Sequence, residues 1–285
     1  MNTEKKLFIL NGNKMEIKAK KSLGQNFLKS KKALLAMIEA GEINSFDTVL
    51  EIGPGQGVLT EKIIETSAKV IAVEKDDRLI DLLNEKFATE TQNGQFTLIH
   101  GDILELDLNL LGLTNNNYKL IANIPYYITG LIFRKFLSEN IQPSKIVIMV
   151  QKEIADRIIA RDEKESLLSL SVKAYGNAKK VMKVEKENFS PMPKVDSAIL
   201  LVDNISKDFF KEISEEEFFE VIKAGFAHKR KILIANLKEK FGLPAQAGKN
   251  DLQKIFQKLK ISEKARSEDL KLDDWKNLIQ YIHRT

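Results

Sequence analysis

Apolar and polar positions alternate in two regimes along this chain. Up to about residue 203, short apolar runs of strand length are separated by amphipathic stretches of helical period. Such an order predicts a parallel sheet with helices on both faces. Strands are predicted at Asp47 to Ile52, Lys69 to Glu74, Gln95 to His100, Tyr118 to Ala122 and Lys145 to Val150. Helices are predicted at 30–40 behind a Ser30 cap, at 77–88, at 130–137, at 152–160 and at 166–175. Two alternating runs, Lys180 to Glu185 and Val195 to Val202, read as a hairpin closing the sheet edge, with the stiff stretch Phe189-Ser190-Pro191-Met192-Pro193 between them. Lys21 to Leu28 and Leu106 to Asn117 have no clean period and read as loops.

Beyond about residue 207 strand signals vanish. Helical periodicity covers 215–225, 228–241, 252–259, 262–270 and 272–283. The expected organisation is a basic extension over 1–20, an α/β domain over 21–206 and a small all-helical domain over 207–285.

Composition narrows the chemistry. Of 285 residues, 43% are hydrophobic and 30% charged, which suits a sizeable core and argues against disorder. With no cysteine, thiol nucleophiles and disulfides are excluded. The three histidines, His100, His228 and His283, have no metal-ligand spacing, so no metal is expected. No run approaches the roughly 18 apolar residues of a membrane span, and the expectation is a cytoplasmic, monomeric protein. Net charge is +5, yet residues 1–32 alone hold nine lysines against Glu4 and Glu16, a balance of +7. That arm, including Lys20 and Lys21, is a handle for a polyanion.

The candidate chemistry lies at strand ends, where ligands bind in open α/β sheets. The first strand runs into Glu51-Ile52-Gly53-Pro54-Gly55-Gln56-Gly57 and a helix start. Val58 stands where a dinucleotide-binding fingerprint has its last glycine, and Pro54 removes a backbone donor. Both features favour an adenosine cofactor without a pyrophosphate, and S-adenosyl-L-methionine competes well with NAD. Glu74, 21 residues after Gly53, suits the two ribose hydroxyls. Asp102 suits an adenine amino group, and Glu51 the glycine loop or a ligand ammonium. At the fourth strand end, Asn123-Ile124-Pro125-Tyr126 puts side-chain and backbone acceptors beside an aromatic face. Two acceptors holding the hydrogens of an exocyclic base amine favour the pyramidal geometry that frees its lone pair, while Tyr126 and Phe189 are expected to hold the base.

These motifs occur in a fixed order: Lys21-Ser22-Leu23-Gly24-Gln25-Asn26-Phe27-Leu28, the glycine stretch, Asn123 to Tyr126, Phe189-Ser190-Pro191-Met192-Pro193-Lys194-Val195-Asp196-Ser197, then Ala224-Gly225-Phe226-Ala227-His228-Lys229-Arg230-Lys231-Ile232-Leu233. Together they resemble the ribosomal RNA adenine dimethyltransferase family, in particular its bacterial small-subunit members, over roughly residues 18–285. The resemblance implies a class I (Rossmann-like) methyltransferase sheet with a helical C-terminal domain. It implies S-adenosyl-L-methionine held by Asn26, Leu28, Gly53, Glu74, Asp102 and Asn123, with Glu51 and Gly55 in the same motif. The target adenine would meet Asn123, the Ile124 carbonyl, Tyr126 and Phe189. The implied substrate is a pair of adjacent adenines near the 3′ end of 16S rRNA in an immature small subunit, gripped in part by His228, Lys229, Arg230 and Lys231. Alternatives are a macrolide-resistance type large-subunit methyltransferase, a non-catalytic assembly factor of the same ancestry and an NAD-dependent oxidoreductase.

Overall fold

The computed structural model describes residues 19–20, 23–241 and 248–284. Most of the basic arm, with Lys21, therefore lies outside the described residues, while Lys20 is exposed at its edge.

Near-continuous β-branched and aliphatic runs form the sheet because strands covered on both faces have no polar side to show. In chain order the elements are β1 (Phe27–Leu28), α1 (Lys31–Gly41), β2 (Thr48–Ile52), α2 (Val58–Ile64), β3 (Lys69–Glu74), α3 (Asp77–Lys86), α4 (Ala88–Gln92), β4 (Phe96–His100), β5 (Lys119–Ala122), α5 (Thr129–Ser138), β6 (Lys145–Gln151), α6 (Lys152–Ile158), α7 (Leu167–Lys173), β7 (Asn177–Val184), β8 (Phe189–Ser190) and β9 (Ser197–Asp203). Four helices follow: α8 (Glu215–Gly225), α9 (Leu233–Phe241), α10 (Gly248–Lys258) and α11 (Leu272–Arg284). Seven strands form one sheet in the order β4-β3-β2-β5-β6-β9-β7. β2 to β6 are parallel; β9 runs antiparallel to β6, and β7 to β9. The order reverses between β2 and β5, where a cleft opens beyond the strand ends.

Alternate residues of each strand divide the core into two layers. Val49, Ile121, Val147, Met149 and Ile199 face α1, α2 and α3 through Met37, Ile63 and Leu83. Leu50, Leu120, Ile146, Ile148 and Leu200 face α5, α6 and α7. This second layer continues without a break through Phe218, Leu233, Phe256 and Trp275 of the C-terminal helices. Local signals hold the helices as expected. The Ser30 hydroxyl accepts from Ala33 N, and Ser214 and Glu217 form a reciprocal capping box ahead of α8. A Cβ at Gly225 would overlap the Trp275 ring, so glycine there lets α11 close on α8.

Three expectations need correction. The expected helix over 228–241 begins only at Leu233, and the basic residues sit on a turn closed by Lys231 N donating to His228 O at 3.0 Å. Asn236, buried in α9, donates to both Gly225 O and His228 O, which pins that turn. The expected helix over 262–270 is a turn plus a single 3₁₀ turn, Ser267–Asp269. The segment is drawn into long-range bonds instead, with Ala265 O accepting from Leu233 N and the Ser267 hydroxyl donating to Gly225 O. Finally, the loop over 21–28 ends in a strand: β1 pairs antiparallel with β8, setting Leu28 opposite Phe189 and Phe27 opposite Ser190.

Candidate active site

A cavity of about 270 Å³ lies at the switch between β2 and β5. Its floor is the turn after β2. Gly53 N donates to Val73 O at 2.9 Å, and Gly53, Gly55 and Gly57 all have positive φ, which excludes most other residues. The three glycines do different work. A Cβ at Gly57 would stand 2.6 Å from the Phe87 ring, so this glycine brings the loop against the end of α3. One at Gly55 would press on Phe27 at 3.1 Å. At Gly53 a Cβ would meet nothing within 4 Å, so the backbone there borders open space in the cavity.

Three carboxylates surround the turn. Glu74, at the end of β3, accepts from Gly55 N at 3.1 Å and Asp76 N at 2.8 Å, bracing the glycine loop. Burial pushes its carboxyl upward, against the pull of those backbone donors. Glu51 is only 1% exposed, and burial pushes it up to about 8, with the Glu74 charge adding to the rise. Its Oε2 has no hydrogen-bond partner, an orphaned acceptor on a residue of the cavity wall. Asp102 stands after β4. Burial raises its carboxyl, but Lys75 Nζ at 2.5 Å and Leu104 N at 3.0 Å outweigh that, and the net shift is downward.

At the end of β5, Asn123 donates its side-chain amide to Asn26 O at 3.3 Å, which orients Oδ1 as the acceptor. The segment 23–28 lies across the cavity as a strap. Gln25 donates to Asp76 at 2.7 Å and accepts from Lys20 N at 2.7 Å. Phe27 rests on Gly55, and Gly24 rests against Pro125 and the Tyr127 ring. The β1–β8 pairing anchors the strap's far end.

All eight residues expected to hold a cofactor line this one cavity: Asn26, Leu28, Glu51, Gly53, Gly55, Glu74, Asp102 and Asn123. The residues expected around a target base are placed differently. Ile124 and Phe189 are buried, Phe189 at 2% exposure in the layer under α1 to α3, because β1–β8 pairing turns it toward Leu28. Tyr126 is half-buried, and its hydroxyl lies 2.6 Å from that of the buried Ser197. None of these three lines the cavity, whereas Gln25, Lys75 and Tyr127 do. Gln25 stood inside a quoted motif and Tyr127 directly follows one; for Lys75 the signal was its position just past a strand end.

The basic turn over 228–231 lies at a second, larger cleft of about 1150 Å³, bounded by α5, α6 and α7 on one side and α8 on the other. Lys229 lines it together with Arg134, Lys223 and Arg266. Glu239 engages His228 at 3.3 Å and Lys231 at 2.7 Å, while Lys229 and Arg230 make no ion pair among the described residues. Also among the described residues, no group of three or more His, Asp or Glu could hold a metal ion, and no helix is long and apolar enough to cross a membrane.

The donor set suits a compact adenosine-type cofactor with a cationic tail: open backbone at Gly53, carboxylates at two further strand ends and an orphaned acid at Glu51. Sheet order, cavity position and donor set together define a Rossmann-like methyltransferase fold with an added helical C-terminal part. Comparison with known structures agrees. A dimethyladenosine transferase from Plasmodium falciparum superposes with a TM-score of 0.74 at 28% identity, covering 88% of this chain and 95% of that one. The 23S rRNA methyltransferase ErmE superposes with a TM-score of 0.73, covering 90% and 100%, and at 22% identity supports the fold alone. A sequence profile of the ribosomal RNA adenine dimethylase family matches residues 16–284. Proteins named ribosomal RNA small subunit methyltransferase A are similar throughout. That of Dehalococcoides mccartyi is 40% identical over 92% of this chain and 88% of its own length; that of Fusobacterium nucleatum is 38% identical over 93% and 98%. The chain belongs to the ribosomal RNA adenine dimethylase family.

Proposed function

We propose that the protein transfers methyl groups from S-adenosyl-L-methionine to N6 of two adjacent adenosines in the 3′-terminal hairpin loop of 16S rRNA, giving N6,N6-dimethyladenosines as the small subunit matures. The observation that carries this reading is Asn123. It stands at the end of β5 on the wall shared with the cofactor residues, its amide held by Asn26 O and its Oδ1 left to accept.

In this reading Glu74 takes the ribose hydroxyls while bracing the glycine loop, Asp102 takes the adenine amine, and the buried Glu51 faces the cationic tail. Gly53 and Gly55 let the backbone approach, and Asn26 and Leu28 close the strap. The cofactor, when bound, supplies an activated methyl on a sulfonium. Asn123 Oδ1 and the Ile124 carbonyl accept the hydrogens of the adenine amine and pyramidalise it, so that its lone pair points at the methyl carbon. Tyr126, fixed by Ser197, backs the base, while Phe189, turned toward Leu28, supports the strap from beneath. The amine nitrogen would take the methyl from the bound cofactor, which would leave as a neutral thioether, and the amine proton would pass to water. No acid or base beyond this is required.

We assign catalysis to residues 21–206 and rRNA contact to 207–285, with the basic extension over 1–20 and the turn His228-Lys229-Arg230-Lys231 as phosphate contacts. Lys20 and Lys21 would extend that grip. The protein would act as a cytoplasmic monomer, without a metal, on an immature small subunit. The direct test incubates it with undermethylated small and large ribosomal subunits and labelled methyl donor, then maps the modified nucleotides. Label on two adjacent small-subunit adenosines is expected. Label on the large subunit, or none, overturns the assignment.

A further inference from the structure

We infer that Tyr127 is the platform of a second base subsite, at the cavity mouth, on which the purine adjacent to the reacting adenosine stacks. This rests on the function proposed above and adds a ligand contact to it.

Tyr126 and Tyr127 are neighbours in one 3₁₀ turn, Tyr126–Ile128, yet the fold uses them differently. Tyr126 turns inward and its hydroxyl is taken by Ser197. Tyr127 lines the cavity, is 67% exposed, and makes no hydrogen bond among the described residues. A large ring left open on a cavity wall presents a face on which a base can stack. One edge of the ring is nevertheless held. Gly24 of the strap lies so close that a Cβ there would stand 3.3 Å from Cε1 and 3.5 Å from Cδ1. The ring is thus steadied without being covered. Leu131, four residues on and one turn along α5, is 49% exposed and lines the same mouth. Lys75, held by Asp102, lines it too. An aromatic ring beside an aliphatic side chain matches the face of a base.

The chemistry of the substrate calls for such a place. Drawing one adenosine into the cavity breaks its stack on its neighbour, which costs free energy. The neighbour stays tethered by a single phosphodiester and must lie close to the mouth. Stacking on an aromatic side chain offsets part of that cost. It depends on the π-face and not on base-edge hydrogen bonds, so it serves whichever of the two adenosines, methylated or not, is outside.

The test uses the full chain with undermethylated small subunits, measuring kcat, KM for the subunit and cofactor affinity for wild type, Tyr127→Ala and Tyr127→Phe. Tyr127→Ala is expected to raise KM for the subunit about tenfold, the equivalent of ~1.4 kcal/mol, with kcat and cofactor affinity within about twofold; Tyr127→Phe should match wild type. Subunits reconstituted with an abasic position beside the target adenosine should impose a similar loss on wild type and little further loss on Tyr127→Ala. An unchanged KM in Tyr127→Ala overturns the subsite. So does a loss matched in cofactor affinity, because Tyr127 would then merely support the strap through Gly24, and so do independent, multiplying losses from the variant and the abasic position. Wild-type inactivity on these subunits would overturn the function beneath it and the subsite with it.

Discussion

The inner wall of the cavity and the outer surfaces proposed to face RNA are built on opposite plans. On the inner wall nearly every polar group is committed to the protein itself. Glu74 is bonded to Gly55 N and Asp76 N, Asp102 to Lys75 and Leu104 N, and Asn123 to Asn26 O, while Glu51 is sealed from water. On the outer surfaces Tyr127 stands open at the mouth, and Lys229 and Arg230 carry no ion pair among the described residues. The contrast follows from the ligands. A small molecule wrapped on all sides needs donors and acceptors already in place, since reorganising them would consume the binding energy. A polyanion is recognised by charge that screens and adjusts, and cations locked in internal pairs would be of little use to it.

Four variants would break or sharpen this contrast. The largest effect is expected for Asn123→Ala, which removes the acceptor facing the amine. Methyl transfer at saturating substrates should fall by roughly 10²–10³, as when one preorganised polar contact to a transition state is lost. Cofactor affinity, read by calorimetry, should fall far less; equal losses would make Asn123 a cofactor residue only. Next, Gly57→Val drives a branched side chain into Phe87 and demands positive φ of a residue that resists it. Thermal or urea unfolding should show a loss of about 2–4 kcal/mol, and a near-neutral result would mean the loop can move off α3.

Glu51 tests the electrostatics of the inner wall. Because folding raises the pKa of this acid, the folded protein keeps a proton that the unfolded chain releases. Its contribution is therefore full below the ordinary carboxylate range and is lost as pH rises through about 8. Wild-type stability should decline across that window by up to ~1.4 kcal/mol per pH unit, and Glu51→Gln should remove that part of the slope. Urea titrations at half-unit steps read it directly; parallel slopes would show the acid to be hydrated. The smallest effect belongs to the outer surface. Neutralising Lys229 and Arg230 together should weaken small-subunit binding about tenfold and reduce the salt slope by one to two, with cofactor affinity unchanged. An unaltered salt slope would remove that turn from the RNA contact.

The same contrast marks what was legible before the structure. Residues of the inner wall sit at strand ends, and a strand end is a place the hydrophobic pattern locates to within a residue or two. Glu51, Glu74, Asp102 and Asn123 were therefore readable as one convergent set, and the structure lines one cavity with all of them. Asn26 and Leu28 were assigned by family likeness alone, since the broken period of Lys21 to Leu28 marks a loop lying across something else but not that it straps the cavity. The helix expected over 228–241 failed in its first turn because the side chain of Asn236, a residue of good helical period, bonds across the chain to Gly225 O and His228 O. The helix expected over 262–270 failed for a similar reason, its Ala265 carbonyl being claimed by α9 and its Ser267 hydroxyl by α8.

By itself the sequence determined the alternation of strand and helix, the glycine turn, the carboxylates at successive strand ends and the family. These depend on local pattern, on the period of burial and on residue types that few backbones admit, and all of that is written along the chain. Only the tertiary structure decided how the three glycines divide their work, that Glu51 is sealed and Glu74 braces the loop, and that β1 pairs with β8. It alone separated two adjacent tyrosines, one bonded inward to Ser197 and one left open at the mouth. Those outcomes depend on residues distant in sequence arriving at the same point, which no local period encodes.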